Sequence, residues 1–334
     1  MAMVSFGDLA QSFLLKSQTT RLKNDVGRLT QELASGLRTD VGAAVSGDMA
    51  RLAALSRSHD MATGYLGAAN EAAFRAASVQ SVLATLSQNA LDLAPELLKA
   101  PQTGSTDTLG LLTVQAKERL TSSISMLNTS AGGRALLAGD QVGETAVVDA
   151  DTILDALRAE LAGTTTAEDA MARISVWFDA PTGFTAVAYT GGAPVADMAV
   201  SPDDRIWMGV TANDTAFREA LKGFAAAALV GDLTVGLPDG DNRTLARLAG
   251  ERLMGGNDAL TALGAKIGVS ESRISNAISR NSSEQLALEM AKGDILKSDP
   301  FSVATELEAV QTNLEMLYSV TARLSRLNLT DFIR

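Results

Sequence analysis

Two narrow apolar stripes, one near each end of the chain, constrain its fold more than any other feature. In each stripe the apolar residues follow one another in steps of three and four, with Thr321 filling the one gap. The members are Leu22, Val26, Leu29 and Leu33 near the N-terminus and Leu307, Val310, Leu314, Leu317 and Leu324 near the C-terminus. A mean period of 3.5 residues is typical of a coiled-coil seam, whereas a helix on a globular core presents a broader face. Both ends are therefore predicted to be helices that associate with other helices.

The composition favours long helices over a deep binding pocket. Of the 334 residues 46% are apolar, which is enough to bury a core in at least one domain, but only 4% are aromatic. Most of the apolar residues are Ala and Leu, which are strong helix formers. A chain of this kind is more typical of a structural building block than of an enzyme.

Charge and rare residue types exclude several functions. The formal net charge is -11 with no Lys/Arg-rich run, so neither nucleic acid nor an anionic membrane is expected as a partner. The chain has no Cys and one His, which leaves no candidate metal, cofactor or catalytic residues. No run of 18 apolar residues predicts a membrane span, and the N-terminal residues do not resemble a cleavable secretory signal.

Long helices are predicted on both sides of a central insertion. Apolar spacing predicts helices over residues 9–37, 46–98, 108–128, 215–230, 243–292 and 300–330. The first helix is interrupted at Ser35 and Gly36. The last begins at Pro300 after a cap from Ser298 or Asp299, since a proline in the first turn costs no hydrogen bond.

The insertion has a different sequence character. Four short runs rich in β-branched and aromatic residues, each bounded by turn residues, predict an antiparallel meander. The runs are 174–178, 184–190, 195–200 and 205–210. Because Trp177 and Trp207 both lie here, the insertion is predicted to be a compact domain with its own core, joined by a helix over 152–161.

The predicted fold class is mainly α with a small β insertion, in which both termini build a long antiparallel helical bundle or coiled coil. Three parts are expected. Residues 1–40 and 300–334 form a terminal coiled-coil domain for polymerisation, 41–140 and 212–299 form a helical rod, and 141–211 form the inserted β-rich domain.

The chain also resembles the bacterial flagellin superfamily. Residues 32–37, ELASGL, are similar to the end of the N-terminal flagellin helix, and residues 270–274, SESRI, resemble its returning helix. Asn128 with residues 133–140, GRALLAGD, and the tail from 324 to 334, LSRLNLTDFIR, resemble the hook-filament junction proteins of that superfamily. The resemblance covers roughly residues 1–140 and 240–334 and does not extend to the insertion.

This resemblance implies a structural subunit that joins hook to filament and carries out no catalysis. Such proteins are exported unfolded by the flagellar type III apparatus without a cleaved signal and act outside the cell. The implied partners are other copies in a ring, the hook-side junction protein, flagellin, and an export chaperone on the terminal helices. The implied polymerisation interface is formed by the two stripes, whose helices are disordered in the monomer.

Three alternatives remain from the sequence. The nearest alternative to a junction protein is a filament flagellin. A helical enzyme with a binding site in the β-rich insertion belongs to another class. The two stripes could also pair within one subunit, with or without pairing between subunits.

Overall fold

The computed structural model describes residues 6–45, 49–103 and 106–332, and this part of the chain is mainly helical. Its helices are α1 Phe6–Ser35, α2 Val41–Ala44, α3 Ala50–Thr103, α4 Thr106–Leu127, α5 Ala150–Glu160, α6 Ala167–Asp179, α7 Phe184–Val187, α8 Thr215–Ala228, α9 Asp239–Leu296 and α10 Pro300–Phe332. Its strands are β1 Ser130–Ala131, β2 Arg134–Ala135, β3 Met198–Ala199 and β4 Arg205–Ile206. The predicted mainly helical fold class is confirmed.

The chain divides into two compact units. The first, unit 1, contains the described residues up to Thr63 and from Ser282 onward, and the second, unit 2, contains residues 64–281. The long helices α3 and α9 each contribute residues to both units. The three-part division predicted from the sequence stays a prediction.

In unit 1, α1 packs against α10, so the two ends of the chain meet as predicted for association helices. The first helix stops where the sequence predicts, because Gly36 adopts a positive φ of 70° that other residues rarely adopt. At α10, Asp299 Oδ1 accepts a hydrogen bond from Phe301 N at 3.1 Å, and Pro300 is the first helical residue. Both boundaries follow from the local chemistry of these residues.

In unit 2, α3 and α9 run antiparallel, which two contacts show. Gln80 Nε2 donates to Gly264 O at 2.9 Å, and a Cβ at Gly250 would lie 3.0 Å from Ala94 O. Residue 80 thus lies beside residue 264, and residue 94 lies beside residue 250. The C-terminal end of α3 is therefore next to the N-terminal end of α9.

Glycine lets α8 approach α9 closely inside the same unit. A Cβ at Gly256 would lie 2.7 Å from Ala220 Cα, and one at Gly223 would lie 2.6 Å from Leu253 Cγ. No side chain fits at such distances, so the absence of a side chain at these positions sets the spacing of the two helices.

The central insertion is more helical than predicted. The predicted strand 174–178 is wrong, because these residues lie in α6, and the predicted strand 184–190 is wrong because it begins with the short helix α7. Only β3 and β4, at 198–199 and 205–206, form a two-stranded antiparallel pair where strands were predicted. The four-stranded meander is therefore wrong. The core of this region continues into α3, α4, α8 and α9 as one cluster.

The GRALLAGD segment is a structural turn that connects the insertion to the rest of unit 2. The side chain of Asn128 exchanges two hydrogen bonds of 2.8 Å with the backbone of Val147. Leu137 and Ala138 are fully buried, and Gly139 has a φ of 63°. A Cβ at Gly139 would lie 2.3 Å from Ala193 O, so glycine is required here on two grounds.

Within the described residues, no helix is both long and apolar enough to cross a membrane.

Candidate association surface

The helix pair of α1 and α10 brings most of the predicted seam residues to one place. In α1, Leu29 is fully buried and Leu22 and Val26 are half-buried, whereas Leu33 is 40% exposed. The four described seam residues of α10 are all half-buried, and these are Leu307, Val310, Leu314 and Leu317. Leu324 lies in α10, but its side chain is outside the part of the chain that the structure describes. The seam is thus partly covered within one chain.

The structure adds two residues to the seam that the spacing argument left out. Leu15 is half-buried seven residues before Leu22, and Val303 is buried four residues before Leu307. Continuing the alternating steps beyond the first apolar residue of each stripe would have found both positions.

Glu32 takes the buried position that Leu33 was predicted to hold. Its carboxylate accepts hydrogen bonds from Arg28 Nη1 at 3.2 Å and from Thr39 N at 3.0 Å, which compensate its burial. Arg28 also lies 3.7 Å from Glu306 of α10. Burial lowers the pKa of Arg28, but the hydrogen bond and charge of Glu32 and the charge of Glu306 outweigh burial and raise that pKa.

Backbone hydrogen bonds fasten the end of α1 to the connection between α9 and α10. Ser298 N donates to Gly36 O at 2.9 Å, and Arg38 N donates to Leu296 O at 2.7 Å. Because these bonds are independent of side-chain identity, they fix the register of α1 against α10 at this end of the pair.

Unit 1 exposes many large apolar side chains. On α1 and α10 they include Phe13 at 75% exposed and Phe301 at 82%, together with Met316, Tyr318 and Val320 at about half. Met316 and Val320 are four residues apart and therefore share one side of α10, and we refer to these two residues as the outer face. Exposed apolar side chains in such number are typical of surfaces that contact other proteins.

Metal-binding clusters and clefts are where a catalytic site would be sought in the described residues. The described residues contain no group of three or more His, Asp or Glu residues arranged to hold a metal ion. A cleft of about 730 Å³ lies between α4, α5 and the loop after α8, and two of its charged residues, Arg158 and Asp232, pair with each other at 2.8 Å. A salt bridge that satisfies both partners is what a structural role requires.

The C-terminal part of the chain is similar in sequence to a known protein family. Residues 255–333 match the family model for the bacterial flagellin C-terminal helical region. The C-terminal helices are flagellin-like. This flagellin-like region contains the C-terminal part of α9 and all of α10, including the whole C-terminal stripe.

A solved structure extends the similarity to most of the chain at the level of fold. It is described as that of a flagellar hook-associated protein from Vibrio parahaemolyticus, with 12% identity and a TM-score of 0.50. The match covers 73% of this chain and 95% of the other. No curated protein matches the chain in sequence.

Proposed function

We propose that the chain is a structural subunit of the bacterial flagellum that joins hook to filament and acts by polymerisation. The single observation that carries the proposal is the flagellin-like region, because it coincides with the helix that forms the seam with α1. The outer face supports the same proposal, since it leaves apolar side chains available to neighbouring subunits.

Polymerisation follows from what the helix pair leaves uncovered. Pairing within one chain covers the four described seam residues of α10 only in part. Fully burying one leucine stabilises a contact by roughly 1.5–3 kcal/mol, so contact with a second helix pair would add several such contributions. Pairing within a subunit and association between subunits are therefore compatible in this proposal.

The junction role rests on the GRALLAGD segment and on the tail from 324 to 334. In this proposal the partners are copies of the chain in a ring, the hook-side junction protein, flagellin, and an export chaperone on the terminal helices. The location is outside the cell, after type III export without a cleaved signal. The alternative within the same class is the filament flagellin itself.

Deletion of the gene separates the two roles. Loss of a junction protein is expected to leave hooks in place while flagellin escapes into the medium. Loss of filament flagellin is expected to leave hooks with no escaped subunit. The measurement is electron microscopy of the cells together with immunoblotting of the medium, and intact filaments on the deletion strain would contradict both roles.

A substitution in the seam tests the mechanism. Leu314→Asp is expected to leave unit 2 folded and to stop assembly, because it places a charge in the half-buried seam. Gln311→Asp is the matched control, since it puts the same residue at an exposed position one turn away on α10. Normal filaments in the Leu314→Asp strain would show that the seam assignment is wrong.

A further inference from the structure

The methionines of the two units differ in how well solvent reaches them. In the described part of unit 1, the methionine side chains that are about half exposed are Met49, Met61, Met290 and Met316. In unit 2, Met171 and Met208 are buried, and the most exposed methionine is Met254 at 40%. An oxidant dissolved in water therefore reaches the thioether groups of unit 1 more readily than those in the core of unit 2.

Met316 is the one methionine of the helix pair α1 and α10. It lies between the half-buried seam residues Leu314 and Leu317, and it forms the outer face together with Val320. Because the side chain is 54% exposed, it contributes little buried area to the monomer. The apolar character of Met316 therefore matters most when a neighbouring subunit covers the outer face.

Oxidation converts the apolar side chain of methionine into a polar one. The thioether sulfur takes up one oxygen atom from hydrogen peroxide and becomes a sulfoxide, while the peroxide is reduced by two electrons and leaves as water. The sulfoxide oxygen is a hydrogen-bond acceptor, and burying such a group without a donor is unfavourable. Because the chain has no Cys, none of its own groups is a thiol that would compete for the oxidant.

We infer that Met316 is an oxidation site through which a peroxide controls assembly: its sulfoxide excludes the subunit from association and leaves the fold of the subunit intact. The inference rests on the proposed polymerisation. Unit 2 stays folded in the oxidised subunit, because Met171 and Met208 in its core are shielded from solvent. A sulfoxide reductase reverses the change by oxidising two thiols to a disulfide, which restores the thioether and releases the oxygen as water.

The reactivity of the site is measured on the purified chain. The chain is treated with hydrogen peroxide for increasing times, the reaction is stopped with catalase, and the sulfoxide content of each methionine is determined by peptide mass spectrometry. Met316 is expected to react about tenfold faster than Met171 and Met208, because the oxidant approaches the sulfur from solvent. Equal rates at the three sulfur atoms would overturn the inference.

Two substitutions at position 316 separate the effect of polarity from the other effects of peroxide. Met316→Leu keeps an apolar side chain of similar volume, and Met316→Gln introduces a polar amide, while neither residue forms a sulfoxide. Each variant is expressed in the gene-deletion strain, and filaments are counted by electron microscopy with and without peroxide in the medium. Met316→Gln is expected to reduce the number of filaments roughly fivefold without peroxide, because burying a polar group without a partner is unfavourable.

Met316→Leu is expected to support filaments in peroxide at a concentration that removes them from cells with the unsubstituted chain. Met254→Gln is the matched control, because it makes the same change at an exposed methionine of unit 2, outside the helix pair. It is expected to leave the filaments unchanged. Normal filaments with Met316→Gln, equal losses with Met254→Gln, or no protection by Met316→Leu would each overturn the inference.

Hydrogen exchange of the purified variants shows whether the subunit itself stays folded. Met316→Gln is expected to match the unsubstituted monomer along α10, because the side chain is half exposed. Loss of protection in this variant would assign Met316 to the fold of the monomer and overturn the inference.

These outcomes remain distinct from a failure of the proposed function. If the chain is absent from flagella sheared from cells, the proposed function fails and the inference with it. If the chain is present and the Leu314→Asp variant is excluded while Met316→Gln assembles normally, polymerisation stands and only the oxidation site is wrong.

Discussion

The helices of the two units differ in how much of their surface is covered. In α8 of unit 2, 11 of the 14 residues are buried, whereas among the described side chains of α1 in unit 1 only Leu29 and Glu32 are buried. Helices in isolation are only marginally stable, and most of their stability in proteins comes from packing. Unit 2 therefore has a core of its own, while the helix pair of unit 1 leaves most of its described side chains accessible.

The largest expected difference between the units is in the unfolding free energy that each loses when one of its leucines is replaced by alanine. Leu86→Ala in the core of unit 2 is expected to lower the free energy of unfolding by about 2–5 kcal/mol, because Leu86 is fully buried. Leu317→Ala in unit 1 is expected to cost less than about 1 kcal/mol in the monomer, because that side chain is half-exposed. Both tryptophans, Trp177 and Trp207, lie in unit 2, so urea unfolding followed by tryptophan fluorescence reports on that unit alone. Hydrogen exchange of α10 reports on unit 1. Equal losses of unfolding free energy in the two units would contradict the expected difference between them.

Two neighbouring glycines of α9 test how closely α8 packs against that helix in unit 2. Gly256→Ala is expected to destabilise the unit by roughly 1–3 kcal/mol, because the new Cβ would overlap the backbone of α8 at Ala220. Gly255→Ala is the control, since nothing lies within 4 Å of a Cβ there. In a helix interior, replacing Gly255 by Ala is expected to raise the free energy of unfolding by about 0.5–1 kcal/mol. Effects of the same sign in urea unfolding would show that α8 and α9 are not in close contact.

The ion pairs of the two units should also respond differently to pH. Burial raises the pKa of Asp232 in unit 2, but hydrogen bonds from Thr234 and Arg158 outweigh burial and lower it below its usual value. A carboxylate with a lowered pKa stabilises the folded state above the unfolded value, about 4, and this stabilisation is lost as the pH falls through the folded value. Asp232→Asn is therefore expected to cost about 1 kcal/mol at neutral pH and little at about pH 2.

The control is the ion pair of Arg28 with Glu306 in unit 1, where the carboxylate side chain is 57% exposed. Glu306→Gln is expected to change stability by less than about 0.5 kcal/mol at either pH. The measurement for Asp232 is urea unfolding of unit 2 at both pH values, and a cost that does not depend on pH would contradict the assigned role of its charge.

Sequence reasoning predicted the ends of the chain better than the middle. The break at Gly36 and the start at Pro300 follow from backbone chemistry that is local, so the sequence alone determines them. The strand predicted over 174–178 failed because a short apolar run does not distinguish strand from helix. Buried residues at 167, 170, 171, 174, 177 and 178 show the helical spacing that a longer window would have included.

The candidate association surface was predictable in part. Spacing located the stripes, but it could not show that Glu32 and not Leu33 is buried. That choice depends on Arg28 and Thr39, which satisfy the carboxylate only in the folded unit.

The smallest expected effect on the monomer concerns the outer face of unit 1. Met316→Ser is expected to change monomer stability by less than about 0.5 kcal/mol, because the side chain is 54% exposed and buries little area within the chain. Assembly should nevertheless weaken, because a neighbouring subunit would lose an apolar contact. Val176→Ser makes a similar change at an exposed residue of unit 2 and is expected to leave both properties unchanged. The measurements are hydrogen exchange of the monomer and the length of filaments on cells. If Met316→Ser destabilised the monomer as much as it reduced assembly, the outer face would be part of the subunit's own fold and not a surface for its neighbours.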